Sequence, residues 1–331
     1  MDIFIVDEHF KGTLESQLEQ SVSELLRIVK EKGQFVKNIL KLNIFLQSDN
    51  EEELNVVSEA LNSIIKKEFS QNIPSYTLVS QPSLSGNDIL LEGLFLEKNA
   101  DIKIERNTFY KHPYIVLSSS KDHPRMVLSG GINMPVTGDM TFECQRVFDF
   151  AEQLLLKEDM DFSNISGQWN YIPSLMSHSK YGDVETQNTD IFKNIRSLYL
   201  SPELFPNGIP ELTVTGTTTG NIIIDFVALS GTEDPGNITG YGRYFTGSLP
   251  AGALQDDIES QTQKLIRDIL EKSKDKDDKV SFSLLRIYLK NKNNLLTVRN
   301  IIDENINADN FVYIKADMHD DDIKIHIEAF V

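Results

Sequence analysis

Three stretches of the chain share one pattern. Residues 86–95, 220–228 and 322–330 each alternate apolar and polar side chains, as a strand with one buried face does. Overlaid, they bring Glu92, Asp225 and His326 to one position, a titratable group each time. A pattern met three times over most of a chain points to a repeat, and a repeat restricts the fold more than any local propensity.

The residues before each stretch follow one order. In the first copy Ile3-Phe4-Ile5-Val6 reads as a strand, and Leu14-Glu15-Ser16-Gln17 opens a helix that Gly33 ends. A strand over 39–46, a helix after Asp49-Asn50-Glu51 and a strand at Tyr76-Thr77-Leu78-Val79 precede the stretch with Glu92. The third copy repeats this, with Glu259-Ser260-Gln261 matching Glu15-Ser16-Gln17. The middle copy has Gln145 on its first helix, Trp169-Asn170-Tyr171 on a strand, a second helix near 186–199 and a strand at 210–215. An additional strand over 109–117 is assigned to the middle copy. The expectation is an α+β chain of three tandem β-α-β-α-β-β units, 1–97, 109–230 and 241–331. Their length differences fall in loops, where they cost little. The charged run 272–279 reads as a solvated loop.

Composition narrows the function classes. A formal charge of −18 opposes nonspecific binding to nucleic acid or anionic membranes. The single cysteine, Cys144, excludes an intrachain disulfide. No apolar run approaches the roughly 20 residues of a membrane span, and the first residues do not read as a signal peptide. The expectation is a reduced, cytoplasmic, acidic protein. The glycines at 130–131 and 216–220 match no nucleotide fingerprint and read as strand ends or turns.

The unit resembles the Rid (YjgF-like) fold, on its helix-opening glutamine and its end His326-Ile327-Glu328-Ala329, similar to the family's EIEA. The resemblance implies a chorismate-mutase-like sheet with two helices on one face. It also implies ligand clefts between neighbouring units of a trimer. With three copies in one chain, the implied assembly is an intrachain pseudo-trimer, monomeric or at most weakly dimeric. The last two units further resemble chorismatases, which release pyruvate from chorismate. The matching stretches are Trp169-Asn170-Tyr171, Phe192-Lys193-Asn194-Ile195-Arg196, 233–241 and 316–328. The chain departs from that pattern where His326 replaces the catalytic glutamate, His319 the tail cysteine, Asp320 the following arginine and Gly236 a segment arginine.

The resemblance implies a site for a small anionic carboxylate, with no cofactor; His319, His326, Asp320, Asp321 and Asp322 lack a recognised ligand spacing, so no metal is expected. His326 titrates near neutral pH and is the candidate acid or base. His319 is placed to share its cleft, and Glu328 to orient water or substrate. Arg196, Arg243 or Arg286 is expected to hold a carboxylate, with Tyr171 and Tyr241 at the binding surface. Trp169 reads as core. Rid deaminases carry an arginine in a P-x-R-T-like strand; Tyr76, Leu212 and Phe311 stand there in the three units. Three readings remain: a chorismatase-like enzyme, a Rid-type imine or enamine hydrolase, and a noncatalytic ligand-binding protein.

Overall fold

In the first unit, β1 (Asp2–Val6), α1 (Leu14–Glu31), β2 (Ile39–Leu46), α2 (Glu51–Phe69), β3 (Ser75–Val79) and β4 (Ile89–Phe95) follow one another in a computed structural model of the chain. It describes residues 1–97, 101–119, 124–205, 211–230, 244–249, 251–273 and 281–331. The second unit comprises β5 (Ile102–Phe109), β6 (His112–Ser119), β7 (Arg125–Asn133), α3 (Met140–Lys157), β8 (Ile165–Pro173), β9 (His178–Tyr181), β10 (Val184–Gln187), α4 (Asn188–Tyr199), β11 (Glu211–Thr217) and β12 (Ile223–Ser230). The third is β13 (Tyr244–Thr246), α5 (Ile258–Ser273), β14 (Leu284–Leu289), α6 (Leu295–Asn305), β15 (Phe311–Lys315) and β16 (Ile325–Phe330). The fold is α+β, a tandem repeat of Rid-like units.

The sheets share one topology. Their orders are β1-β4-β2-β3, β7-β12-β8-β11 and β13-β16-β14-β15, with β6 and β5 extending the second beyond β7. The sequence pattern marks one strand over 109–117; the chain forms a hairpin of two, with Tyr110 and Lys111 at positive φ in its turn. The β9–β10 hairpin was not expected. The charged run from Lys274 onward lies outside the described residues.

Each sheet buries one face under its helix pair. Leu18, Val22, Leu42, Ile44 and Leu91 build that core in the first unit, and Leu265, Ile266, Ile287 and Ile327 in the third. The opposite faces meet one another. Phe45, Leu90, Trp169, Tyr171, Leu284, Tyr288 and Ile314 form a shared cluster drawn from all three units. The edge strands close this centre in a ring. Gly216 N–H donates to Asp317 C=O at 2.8 Å, Lys315 N–H to Pro82 C=O at 2.9 Å, and Thr218 N–H to Ser80 C=O at 2.9 Å. Gly216 has no alternative here, because a Cβ would stand 2.8 Å from that of Asp317.

The register corrects the overlay of the closing strands. Glu92 pairs with Asn43, Asp225 with Trp169 and Glu328 with Arg286. Those partners in turn pair with Thr77, Thr213 and Val312 on the edge strands. The equivalent of Glu92 and Asp225 is therefore Glu328, and His326 matches Leu90 and Ile223. A slip of two residues keeps every side chain on its own face, so alternation alone cannot detect it. The first helices show the same slip. Gln17 and Gln261 are fourth in α1 and α5, where each ties down the preceding loop. In α3 that position is Glu143, which accepts from Gly138 N–H, and not Gln145.

Candidate active site between the second and third units

The three equivalent acids are all buried, and each meets a different surrounding. Asp225 accepts from Lys41 Nζ at 2.6 Å, Thr77 Oγ1 at 2.8 Å and Gly131 N–H at 2.6 Å. Glu92 accepts from Asn43 Nδ2 at 3.0 Å and from Arg286 Nε at 3.0 Å, with Arg286 Nη2 on its second oxygen. Glu328 accepts from Arg286 Nη1, from Thr213 Oγ1 and, at 3.2 Å, from Tyr244 OH. Thr77 and Thr213 hold the same place on consecutive units, each crossing to the acid of the next. In the remaining contact Val312 has no hydroxyl to offer, and Arg286 meets the acid instead.

His326 lies one strand repeat before Glu328, on the same face. Its Nε2 is 3.0 Å from Thr213 Oγ1. With Glu328 ionised, the one proton of the threonine hydroxyl goes to it, so the imidazole donates its Nε2–H to the threonine oxygen. Nδ1 is then the unprotonated nitrogen. Glu328, Thr213 and His326 thus form one continuous hydrogen-bonded line.

His326 and His319 line a cleft of about 220 Å³ with Leu212, Val214, Met318 and Ile323. Leu212 and Val214 belong to the second unit and the others to the third. The two histidines therefore share one cleft, as their spacing suggested. Burial pulls the His326 pKa down to about 3, aided by the nearby charges of His319, Lys272 and Arg286. His319 is lowered as well, by burial and then by Lys193, with Arg196 adding to it against Asp320. Burial raises Glu328, although Arg286 opposes the shift. Burial thus favours the neutral form at both ends of the line.

The remaining candidates separate. Arg196 lies on α4, whose Thr189 hydroxyl donates to the His319 carbonyl at 3.2 Å. Burial lowers its pKa. Arg286 is no free anion binder: Glu92 and Glu328 occupy its guanidinium. Burial works against its charge, and Glu92 leads the carboxylates that hold its pKa up. Glu328 is fully buried, so it reaches the cleft only through Thr213. Tyr171 lies in the shared centre and not beside His326; burial pushes its pKa well up. Trp169 packs there as well. Tyr241 and Arg243 lie outside the described residues. Thr213 and Lys41 were not singled out in the sequence, although Thr77 and Thr213 recur at the same point of their units. Among the described residues no group of three or more His, Cys, Asp or Glu is placed to hold a metal, and no helix is long and apolar enough to cross a membrane.

No protein-family model and no curated protein matches the chain. Solved structures do. A chorismatase is similar over 89% of this chain and 93% of its own, with a TM-score of 0.61 at 14% identity. A cyanuric acid hydrolase is similar over 100% of this chain and 98% of its own, with a TM-score of 0.50 at 7% identity. A YjgF-family protein from Neisseria meningitidis covers 40% of this chain with 97% of its own, with a TM-score of 0.28 at 10% identity. The chain has the tandem Rid-like fold found in chorismatase.

Proposed function

We propose that the cleft between the second and third units takes chorismate or a related small carboxylic acid, and that Glu328, Thr213 and His326 move the proton in its hydrolysis. The single observation behind this reading is the unbroken line Glu328–Thr213–His326, ending in a cleft. A histidine with so low a pKa holds no surplus proton at neutral pH, so a lone His326 is a poor acid. Relayed, it does not need one. Burial raises the Glu328 pKa and so favours a proton on that carboxyl, from which the relay starts. With that proton in place the line runs the other way: Glu328 donates to Thr213 Oγ1, Thr213 donates to His326 Nε2, and the ring proton is on Nδ1. As Nδ1–H is delivered to the substrate, the threonine proton passes to Nε2 and the Glu328 proton to Thr213 Oγ1, which leaves Nε2–H on the imidazole and Glu328 ionised.

On an enol ether the proton goes to the methylene carbon, leaving an oxocarbenium ion. Water adds to that carbon, and its proton returns through Nδ1 to Glu328. The resulting hemiketal collapses to pyruvate and an alcohol. Arg196, with Lys193 near His319, supplies positive charge for a substrate carboxylate. On this reading the chain is a cytoplasmic single-chain pseudo-trimer, with no nucleic-acid, membrane or protein partner needed to complete the cleft.

One observation favours a chorismatase-like reaction over Rid-type imine hydrolysis. Leu212 lines the cleft at the place of the deaminase arginine, so that carboxylate clamp is missing. The test is incubation with chorismate, reading pyruvate release and thermal stabilisation. Both are expected. Stabilisation without pyruvate makes the protein a noncatalytic binder. Neither effect removes the proposal.

A further inference from the structure

A second cavity, of about 90 Å³, lies where the three sheets meet. It is separate from the cleft, since neither His326 nor His319 lines it. Asn43, Trp169 and Arg286, which occupy one equivalent position in the three units, all border it, as do Lys41, Glu92 and Phe330.

The charged side chains at this cavity are already matched. Lys41 is paired with Asp225, and Arg286 with Glu92 and Glu328. The ring faces are taken too: Lys41 Nζ lies 5.2 Å from the centre of the Trp169 ring, and Arg286 Cζ lies 5.1 Å from that of Phe330. An added cation would face Lys41 and Arg286, and an added anion would face Glu92. Neither finds an unpaired counter-charge among the residues named here.

Two polar atoms are left over. Asn43 spends its amide N–H on Glu92, and its buried Oδ1 has no partner among the described residues. The Nε1–H of Trp169, a residue only 6% exposed, has none either. Buried polar atoms without partners are costly, and a cavity bordered by both residues offers the space to satisfy them. One is an acceptor and the other a donor. The complementary molecule presents a donor beside an acceptor and carries no charge. A cavity of about 150 Å³ takes benzene, so this one suits something smaller. We infer that the central cavity is a binding site for a small neutral amide-like or urea-like molecule, held by Asn43 Oδ1 and Trp169 Nε1.

Trp169 is the chain's single tryptophan, so its fluorescence reads the cavity directly. Acetamide, acetate and acetamidinium share one shape and differ in charge. Titration of the full chain is expected to give a saturable change with acetamide, and binding at least tenfold weaker with either ion. Asn43→Leu, which removes the acceptor, weakens acetamide at least tenfold. Leu128→Phe narrows the cavity without touching a polar group, and abolishes the saturable response in a chain shown by circular dichroism to be folded. Equal binding of either ion overturns the inference. So does a purely linear, collisional response to acetamide, which would mean that water alone serves the two atoms. The readout needs no turnover, so it stands apart from the fate of the proposed reaction.

Discussion

Arg286 grips Glu92 across 194 positions of sequence, with Nε 3.0 Å from one carboxylate oxygen and Nη2 on the other. This contact joins the third unit to the first, and its free arm reaches Glu328 in the candidate site. Both carboxylates and the guanidinium are buried. Arg286→Met strands two buried acids, and about 3–5 kcal/mol of stability should be lost. Urea denaturation measures it. Arg286→Lys keeps the charge but lacks the fork, and should recover only part. A loss under about 1 kcal/mol, the range of an exposed pair, would contradict the account.

Lys41 and Asp225 are the corresponding link between the first and second units. Asp225→Leu leaves Lys41 buried without its counter-charge, which should cost about 3–5 kcal/mol. Lys41→Met combined with Asp225→Leu removes both charges and should regain most of that loss. A double-mutant cycle in urea reports the coupling. Additive single effects would refute a direct interaction.

Thr213 tests the relay itself. Thr213→Val keeps the shape and removes the hydroxyl, so turnover of chorismate should fall by about 10²–10⁴-fold. Thr213→Ser should retain most of it. Substrate affinity should change little in either, because the hydroxyl faces Glu328 and His326. A parallel loss in binding would mean that the threonine only holds the cleft in shape.

Arg196 should act on binding alone. Arg196→Gln is expected to raise KM with kcat nearly unchanged, the signature of uniform binding lost. A selective fall in kcat would move the carboxylate contact elsewhere.

Buried histidines set a pH dependence. Burial pulls His112 down to about 4, against the charge of Asp225, and its Nε2 is 2.9 Å from Ser129 Oγ. Unfolded, a histidine takes its proton near pH 6.5. Between about pH 6.5 and 4 the unfolded chain therefore binds more protons, and stability falls as pH falls. His326 adds the same sign down to about 3, while Glu328, shifted up, adds the opposite one. His112→Gln isolates one contribution. Its stability should fall less steeply over that window, by up to one proton's worth of slope. An unchanged slope would mean that His112 protonates freely in the folded chain.

The repeat was legible because burying one sheet face writes a period of two into each strand, and the helices add their own spacing. Alternation identifies a face and leaves register open by two residues. Glu328 was therefore named through the EIEA resemblance, while the overlay gave its place to His326. The acids' partners were hidden for another reason. Thr213 lies 115 positions from Glu328, and Arg286 lies 194 from Glu92. Only the closing of three sheets on one centre brings them together. His319 and His326 were legible as a pair because seven residues separate them on one approach to one strand.

The most direct measurement compares the wild-type chain with His326→Gln in pyruvate release from chorismate, together with the thermal shift that chorismate produces. The relay predicts release by the wild type, a loss of at least about 10²-fold in the variant, and a shift retained by both. Equal release by the variant, or neither release nor shift in the wild type, would contradict it.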